Sequence, residues 1–579
     1  MYEFDEGFNT QSPLGLQWFW EGLNMKAYTA DFETTKDEDD CRVWAYAVCD
    51  IDEPSKYLVG NSIGGFMEWC RRHANCEVYF HNLAFDGSFI LDYLEKHGWE
   101  WIGEPGEAES LTYETLISDT NQFYCITLHF SRYFKVKIMD SLKIIPLSVK
   151  AIAKAYGLEE GKGELDYEAF REVGHRITAD EEDYIRRDVQ IVAHALRRHF
   201  EQGLRKMTAG SNALKGFKDT LGGHRRFRFS YPVLSEEEET LIRKAYKGGW
   251  TYADKRIRGA EVGRGMVFDV NSLYPSVMYF ERLPYGKAHF ALEPSKMPAG
   301  ELWICSAMVS FELKPDHVPC IQLKGNSRFA PTEYLESSGG IVQMAFSNVD
   351  FELYSGQYDF KVHEWLGGYW FKSNDLQFRG YIDYWMGVKV KAGEEGNNGL
   401  RTLAKLMLNS LYGKFATRRT CVGKKPVLKD GVVRFEELPP EERDPVYLPV
   451  GVFITSYARM KTVSAAQACF DRFCYADTDS IHITGDVVPD FLDVDDFRLG
   501  AWKHESDFER AKFLRAKCYI EQEVGKDELT VHVSGMPAYV HSQVDFGNFE
   551  IGAVYHGKLY QRRVEGGIVL VEGDMQIRE

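Results

Sequence analysis

From residue 472 to 483 the chain reads Arg-Phe-Cys-Tyr-Ala-Asp-Thr-Asp-Ser-Ile-His-Ile, two apolar stretches around an acidic knot. The pattern predicts a strand–turn–strand hairpin with Asp477 and Asp479 at its tip. Asp and Ser also favour turns for reasons of their own, so taken singly the stretch is equally an ordinary polar turn. Well upstream, Gly265-Met-Val-Phe-Asp-Val270 predicts an apolar strand that carries Asp269 near its end and runs into a turn at Asn271–Pro275.

Between these two lies a predicted helix, Leu400–Ala416. At about 100° per residue Arg401, Lys405, Asn409 and Tyr412 fall within roughly 80° of one another. The opposite face carries Leu400, Leu403, Met407 and Leu411. Two cations, an amide and a phenol on one stripe suit a nucleoside triphosphate, with the cations on phosphate and the phenol against base or sugar. By itself the segment is also a plain amphipathic surface helix.

The N-terminal part alternates between strand and helix patterns. Tyr28–Thr34, Cys41–Asp50 and Glu77–Phe80 read as strands, and Ser62–His73 and Ala179–Phe200 as helices. The last opens on Thr178-x-x-Glu181, a capping-box spacing. Together they predict an α/β domain ending near Met207. Asp31 and Glu33 are two apart on a strand and so leave the same sheet face. Asp86 follows the apolar run Val78–Phe80, and Tyr184 and Asp188 stand one helical turn apart. Each is by itself a commonplace surface carboxylate. Four carboxylates gathered in one domain repel unless divalent cations neutralise them, and such a set can hold two hard ions for hydrolysis.

At 579 residues the chain calls for several domains, and 44% hydrophobic residues give it material for their cores. No apolar run reaches the ~18–20 residues of a membrane span, and no basic segment leads into an apolar one as in a signal peptide. Eleven cysteines without a CxxC pair argue against zinc or a disulfide scaffold and for a reduced cytosolic compartment. The formal charge of −18 speaks mildly against a nucleic-acid partner, but local charge outweighs the sum. Residues 400–429 hold eight Lys and Arg and no acid; residues 205–228 hold one acid, Asp219. Such islands are either solvated faces or phosphate contacts.

Asp269-x-x-Ser-Leu-Tyr-Pro, Lys-Leu-Met-Leu-Asn-Ser-Leu-Tyr-Gly and Tyr-Ala-Asp-Thr-Asp-Ser resemble, in order, motifs A, B and C of family B DNA polymerases. The N-terminal carboxylates resemble the tyrosine-containing branch of the DEDD 3′→5′ exonucleases on a ribonuclease H-like fold. EDDCRVWAYAV, MTAGSNALKGFK, GMVFDVNSLYP and GGIVLVEG narrow the likeness to the protein-primed family B polymerases of small tailed Bacillus phages, over essentially everything after Met25. The fold this implies is a multidomain α/β and α+β one, an exonuclease domain followed by a right hand of palm, fingers and thumb with two insertions for protein priming.

The resemblance implies roles residue by residue. In the exonuclease domain Asp31, Glu33, Asp86 and Asp188 would bind metal, Tyr184 would orient water and Lys162 would assist. Thr34, Asn82, Phe85, Ser141 and Leu142 would hold a frayed single-stranded primer end. In the polymerase domain Asp269 and Asp479 would bind metal, with Asp477 supporting them. Tyr274 would exclude a ribose 2′-hydroxyl. Lys389, Arg401 and Lys405 would take the triphosphate, while Asn409 and Tyr412 line the nucleotide site. Lys517 and Tyr519 would grip the primer strand. Two Mg²⁺ (or Mn²⁺) ions per site, dNTPs, primer–template and single-stranded DNA and a terminal priming protein are the implied cofactors and partners. No membrane is implied. The expected setting is the host-cell cytoplasm, as a monomer or a heterodimer with the terminal protein.

The implied layout is exonuclease 25–208, palm 209–281, first insertion 282–378 for docking the priming protein and fingers 379–416. A second insertion at 417–446 for processivity and strand displacement follows, then palm 447–533 and thumb 534–579. Met1–Asn24 has no family counterpart and is expected to be a leader or a mis-assigned start, dispensable for activity. Against the resembled family, the loop Ala392–Gly399 looks a few residues longer. Two alternatives are a family B polymerase that extends ordinary primers and a catalytically dead DNA-binding replication factor; the complete carboxylate sets argue against the second.

Overall fold

The computed structural model describes residues 25–158, 165–166, 169–323 and 333–578. Met1–Asn24 and Lys162 lie outside the described residues. The chain divides into two compact units: Met1–Met207 with Val422–Pro440 and Arg562–Val569, and Thr208–Cys421 with Glu441–Gln561 and Leu570–Glu579.

The first unit is built on an eight-stranded mixed sheet. Its strands are β1 (Lys26–Thr34), β2 (Val43–Asp50), β3 (Tyr57–Gly60), β4 (Cys76–Phe80), β5 (Glu100–Trp101), β6 (Thr112–Ile117), β7 (Phe123–His129) and β8 (Lys135–Asp140), in the order 3-2-1-4-8-7-6-5. The parallel pairs β1/β4 and β4/β8 form its centre. Helices α1 (Ile63–Arg72), α2 (Leu83–Lys96), α3 (Val149–Tyr156) and α4 (Ala179–Glu201) cover it. In α4, Ile185, Val189, Val192 and Leu196 recur at helical spacing and bury against Trp44, Ala45 and Ala47 of β2. Its start carries the expected capping box, with Thr178 accepting from the Glu181 N–H and Glu181 accepting from the Thr178 N–H. Burial alone would raise Glu181; Thr178, His175 and Arg171 outweigh it and hold its carboxyl down at about 2.

The hairpin of Lys424–Lys429 and Val432–Glu437 belongs to this first unit. The Asp119 N–H donates to the Val422 carbonyl, and Phe123 meets Phe435 edge-on with centroids 5.6 Å apart. Segment 562–569 joins the same unit, where the Gly566 N–H donates to Asp92.

The second unit begins with α5 (Ala209–Thr220) and α6 (His224–Ser230). Its main sheet contains β9 (Thr251–Ala253), β10 (Glu261–Val262) and β11 (Gly265–Val270). Helices α7 (Arg379–Glu394), α8 (Asn398–Ser410), α9 (Tyr412–Phe415) and α10 (Leu448–Ala468) come next. The later strands are β12 (Phe473–Asp477), β13 (Ser480–Thr484), β14 (Trp502–Arg515), β15 (Cys518–Glu523) and β16 (Thr530–Val533). The sheet order is 16-15-14-11-13-12-9, with β10 pairing on β14. A separate four-stranded antiparallel sheet, from Leu283–Ala291, Tyr358–Asn374, Leu302–Leu313 and Val342–Ser347 in spatial order, fills most of segment 282–378. Below it a buried network ties Asp350 to Arg459, 2.7 Å away, and to Ser347 and Ser456. The Arg459 guanidinium also donates to the carbonyls of Lys247 and Gly248.

The single helix expected over Leu400–Ala416 is in fact two, parted at Leu411. Leu411 is fully buried and Tyr412 stacks on Tyr274, tertiary contacts that helical periodicity does not encode. All eleven cysteines are free thiols. Among the described residues no helix is long and apolar enough to cross a membrane.

Candidate active sites

In the second unit β11 and β13 are antiparallel neighbours, with Asp269 opposite Ser480. The Val270 N–H donates to the Asp479 carbonyl at 2.8 Å, which locks the hairpin tip to the end of β11. Thr478, between the two tip carboxylates, has φ 61°, a left-handed value that turns the chain sharply. Its N–H donates to the Trp250 carbonyl, and its own carbonyl accepts from the Thr462 hydroxyl. Burial and then repulsion from Asp479 push the Asp269 carboxyl up to about 7. Burial raises Asp479 too, with Asp477 adding repulsion.

Asp477 is placed differently. Both its oxygens accept from Lys517 Nζ at 2.9 Å, and one accepts from the Thr251 hydroxyl. Lys517 has φ 56°, and its N–H donates to the Tyr475 hydroxyl. Tyr519, two residues on, packs at 4.7 Å from Tyr475 and stacks at 4.6 Å on His532. Behind them His482 and Glu521 form a buried pair at 2.6 Å.

Five residues past Asp269, Tyr274 stacks on Tyr412 with centroids 3.9 Å apart. Burial, then Tyr412, raises the Tyr274 hydroxyl well above its ordinary value. On α8, Arg401, Lys405 and Asn409 are exposed while Leu403, Ala404, Met407 and Leu408 are buried. Burial, followed by the nearness of Lys405 and Arg401, lowers the Lys389 ammonium of α7, so three cations converge.

In the first unit Thr29 of β1 donates to the Val189 carbonyl of α4, which turns the odd-numbered face of β1 toward that helix. Asp31 and Glu33 share that face. Tyr184 and Asp188 are buried on α4. The even face packs Phe32 against Phe66 and Phe80. Asp86, at the start of α2, accepts from the Phe32 N–H at 3.3 Å, between the two β1 carboxylates. Burial first, then Asp31 and Glu33, push its carboxyl well above the usual range.

Asn82 caps α2 at φ 79°. One oxygen of the buried Asp140 accepts from both the Asn82 and Leu142 N–H groups. The Ser141 hydroxyl donates to the Phe80 carbonyl and sits 3.0 Å from His81 Nδ1. Thr34 and Phe85 are half-buried at the ends of β1 and the first turn of α2. Among the described residues no three His, Cys, Asp or Glu side chains close to metal-ligating spacing. The carboxylates stand as a pair in one unit and as Asp86 with its two electrostatic neighbours in the other.

The chain matches the family DNA polymerase type B, organellar and viral, over residues 68–182 and 171–496. It belongs to that family. The DNA polymerase of Bacillus phage Nf is 44% identical over 581 residues, covering 96% of this chain and 100% of that one. The DNA polymerase of Bacillus phage phi29 is 43% identical over 589 residues at the same coverages, and that of Streptococcus phage Cp-1 is 31% identical over 581 residues, covering 95% and 98%. The solved structure of phi29 DNA polymerase complexed with primer-template DNA and incoming nucleotide substrates superposes with a TM-score of 0.90 at 42% identity, covering 96% of this chain and 100% of that one. This type B polymerase is therefore a DNA-directed DNA polymerase.

Several residues that shape the two candidate sites carry no signal of their own in the sequence. Asp140 and His81 organise the loops of Asn82, Ser141 and Leu142, yet each is an unremarked residue beside a motif. His482 lies three residues past Asp479, and only its pairing with Glu521 behind Tyr519 sets it apart. Gly249 is a fourth: a Cβ there would stand 2.6 Å from Thr478 Cγ2, so the tip turn needs a residue without a side chain.

Proposed function

We propose that this type B polymerase is a protein-primed, strand-displacing replicase with its own 3′→5′ proofreading exonuclease, working at two separate carboxylate sites. The observation that carries the reading is the separation itself. Asp269 and Asp479 are paired in one compact unit beside the Tyr274/Tyr412 stack and three converging cations; Asp86, Asp31 and Glu33 are neighbours in the other. The polymerase assignment extends to this chain the primer–template and nucleotide partners named for the phi29 enzyme.

Both carboxylate groups fit hard divalent ions, Mg²⁺ or Mn²⁺. Each is an oxygen-only donor set, and in each a carboxylate is raised first by burial and then by its acidic neighbours, a cost a cation would reduce. Asp269 and Asp479 would hold ions in the first site, and Asp31, Glu33, Asp86 and Asp188 in the second. When bound, such ions supply charge neutralisation at phosphate and a more acidic hydroxyl or water.

The chain's own groups do the rest. Lys389, Arg401 and Lys405 neutralise the triphosphate, so pyrophosphate departs from a site already matched to its charge. Tyr274, packed under Tyr412, closes the space that a ribose 2′-hydroxyl would need. Lys517 is held against Asp477, which keeps its ammonium at the end of β12, and Tyr519 presents a rigid ring beside it for the primer strand. In the exonuclease site Tyr184 orients water, and the Asn82, Phe85 and Ser141–Leu142 loops take an unpaired primer end. Residues 282–378 and 417–446 are the two priming insertions of the resemblance, the first docking a terminal protein whose Ser, Thr or Tyr hydroxyl replaces the primer at initiation.

The test uses the full chain, Mg²⁺ and an end-labelled primer on a template bearing a downstream blocking strand. Full-length product with dNTPs and primer shortening without them are expected. Arrest at the blocking strand removes strand displacement from the reading. Neither product returns the chain to a DNA-binding role.

A further inference from the structure

We propose that the outer face of α6, a helix that carries neither carboxylate set, docks single-stranded DNA through Arg225, Arg226 and Phe229. The helix is pinned by its inner side. Phe227 and Tyr231 are fully buried, with ring centroids 5.2 Å apart, and pack against Phe217 and Phe415. At about 100° per residue from Phe227, Arg225, Phe229 and Arg226 fall together in an arc of roughly 100° on the opposite side. All three are exposed, Phe229 by 88%.

A solvated helix face ordinarily mixes its charges and places no aromatic ring in water. This one does neither. From 205 to 228 there are seven Lys and Arg, and the single acid, Asp219, is engaged by Lys215 at 2.7 Å. Among the described residues Arg225 and Arg226 have no ion-pair partner. Inside a chain of net charge −18, two unneutralised guanidiniums flanking an exposed ring select a polyanion that also offers flat apolar surface. Unpaired nucleotides provide both, whereas the bases of a duplex are already stacked on one another and leave only phosphate to be met. The face thus differs from the cations of α8, which lie beside the Tyr274/Tyr412 stack. It rests on the polymerase reading only in naming DNA as the strand.

The test measures fluorescence anisotropy of a dye-labelled oligo(dT) with the full chain, in buffer without divalent metal so that nothing is hydrolysed, over a range of salt. Phe229→Ala is expected to weaken oligo(dT) binding roughly tenfold with the salt slope unchanged. The double variant R225A/R226A is expected to flatten that slope by about 1.4, some 0.7 for each phosphate left without its guanidinium. Phe229→Trp restores affinity, which a merely structural role would not predict. An oligonucleotide carrying 5-iododeoxyuridine is expected to photo-crosslink at Phe229, read by peptide mass spectrometry. Both alanine variants should extend a short pre-annealed primer–template at the parental rate, so a failure here is separable from a failure of the polymerase reading. Unchanged affinity and slope would overturn the proposal in favour of a solvated face. Equal losses on blunt duplex and oligo(dT) would overturn the single-strand assignment, and a matching loss of short-template extension would overturn its separateness from the polymerase site.

Discussion

Asp269 lies on β11 and Asp479 in the turn just before β13, the strand hydrogen-bonded to β11, so their approach is set by a backbone register and one tight turn. Asp31 and Glu33 come from a strand, Asp86 from the helix after β4 and Asp188 from a helix about a hundred residues later. Their approach depends on how α2 and α4 settle on the sheet. Both arrangements hold like charges together against repulsion, but they spend different resources. The ladder relies on directional hydrogen bonds, and the packed set relies on a hydrophobic core that includes Ile185, Val189 and Val192. A ladder site should therefore fail when its turn is disturbed, and a packed site when its core is loosened.

The largest contrast should come from the carboxylates themselves. Asp479→Asn is expected to lower nucleotide incorporation by about a thousandfold or more, since several kcal/mol of charge stabilisation is lost at about 1.4 kcal/mol per decade, while primer degradation persists. Asp86→Ala should do the reverse. Parallel assays of extension and degradation on one labelled primer read both, and joint loss from either change would break the two-site comparison.

Next in size is the buried ion pair of the second unit. Asp350→Ala leaves Arg459 charged and sealed from water, and is expected to cost about 3–5 kcal/mol. Urea denaturation followed by extension and degradation should show incorporation lost at lower denaturant than hydrolysis. Coincident losses would mean that the units do not unfold separately.

The first unit has its own weak point in pH. Burial lowers His199 to about 4 from 6.5, and its Nε2 is 2.7 Å from the Tyr156 hydroxyl. The unfolded chain therefore binds the extra proton first. The neutral form's stability is fully present above about pH 6.5 and is lost as pH falls toward 4. The loss is about 3 kcal/mol at roughly 1.4 kcal/mol per pH unit. The denaturation midpoint for hydrolysis should drop between pH 7.5 and 5, and His199→Gln should flatten the profile; an unaltered profile in that variant contradicts the assignment. The smallest effect is expected from Gly249→Ala, which crowds Thr478 by an overpacking cost of about 1–3 kcal/mol. Incorporation should fall some tenfold with hydrolysis untouched, and normal incorporation would show that the tip turn tolerates displacement.

Much of this was legible in local pattern. Alternation around Asp477–Ser480 marked β12 and β13, the apolar run before Asp269 marked β11, and Thr178-x-x-Glu181 marked the first turn of α4. Ser62 and His73 frame α1 as its two caps. These signals work because hydrogen bonds within a few residues decide them. What escaped depends on distant partners. The break at Leu411 answers to Tyr274, more than a hundred residues away. The attachment of 424–437 to the first unit rests on a bridge between Ser118 and Gly423 that no local spacing reports. Asp140 and Asp350 are ordinary acids until burial gives them their donors.

The membership of residues 422–440 and 562–569 in the first unit has a consequence in time. A ribosome releases Met207 long before Val569, and the 362 residues between (569 − 207) take on the order of half a minute at roughly 5–20 residues per second. For about the first two-thirds of that interval the nascent first unit lacks the strand pair that supplies Phe435, and to its end it lacks the loop that supplies Gly566. It therefore waits, incompletely covered, while the second unit is being made. A truncation that stops short of residue 569 would leave it in that unfinished state permanently.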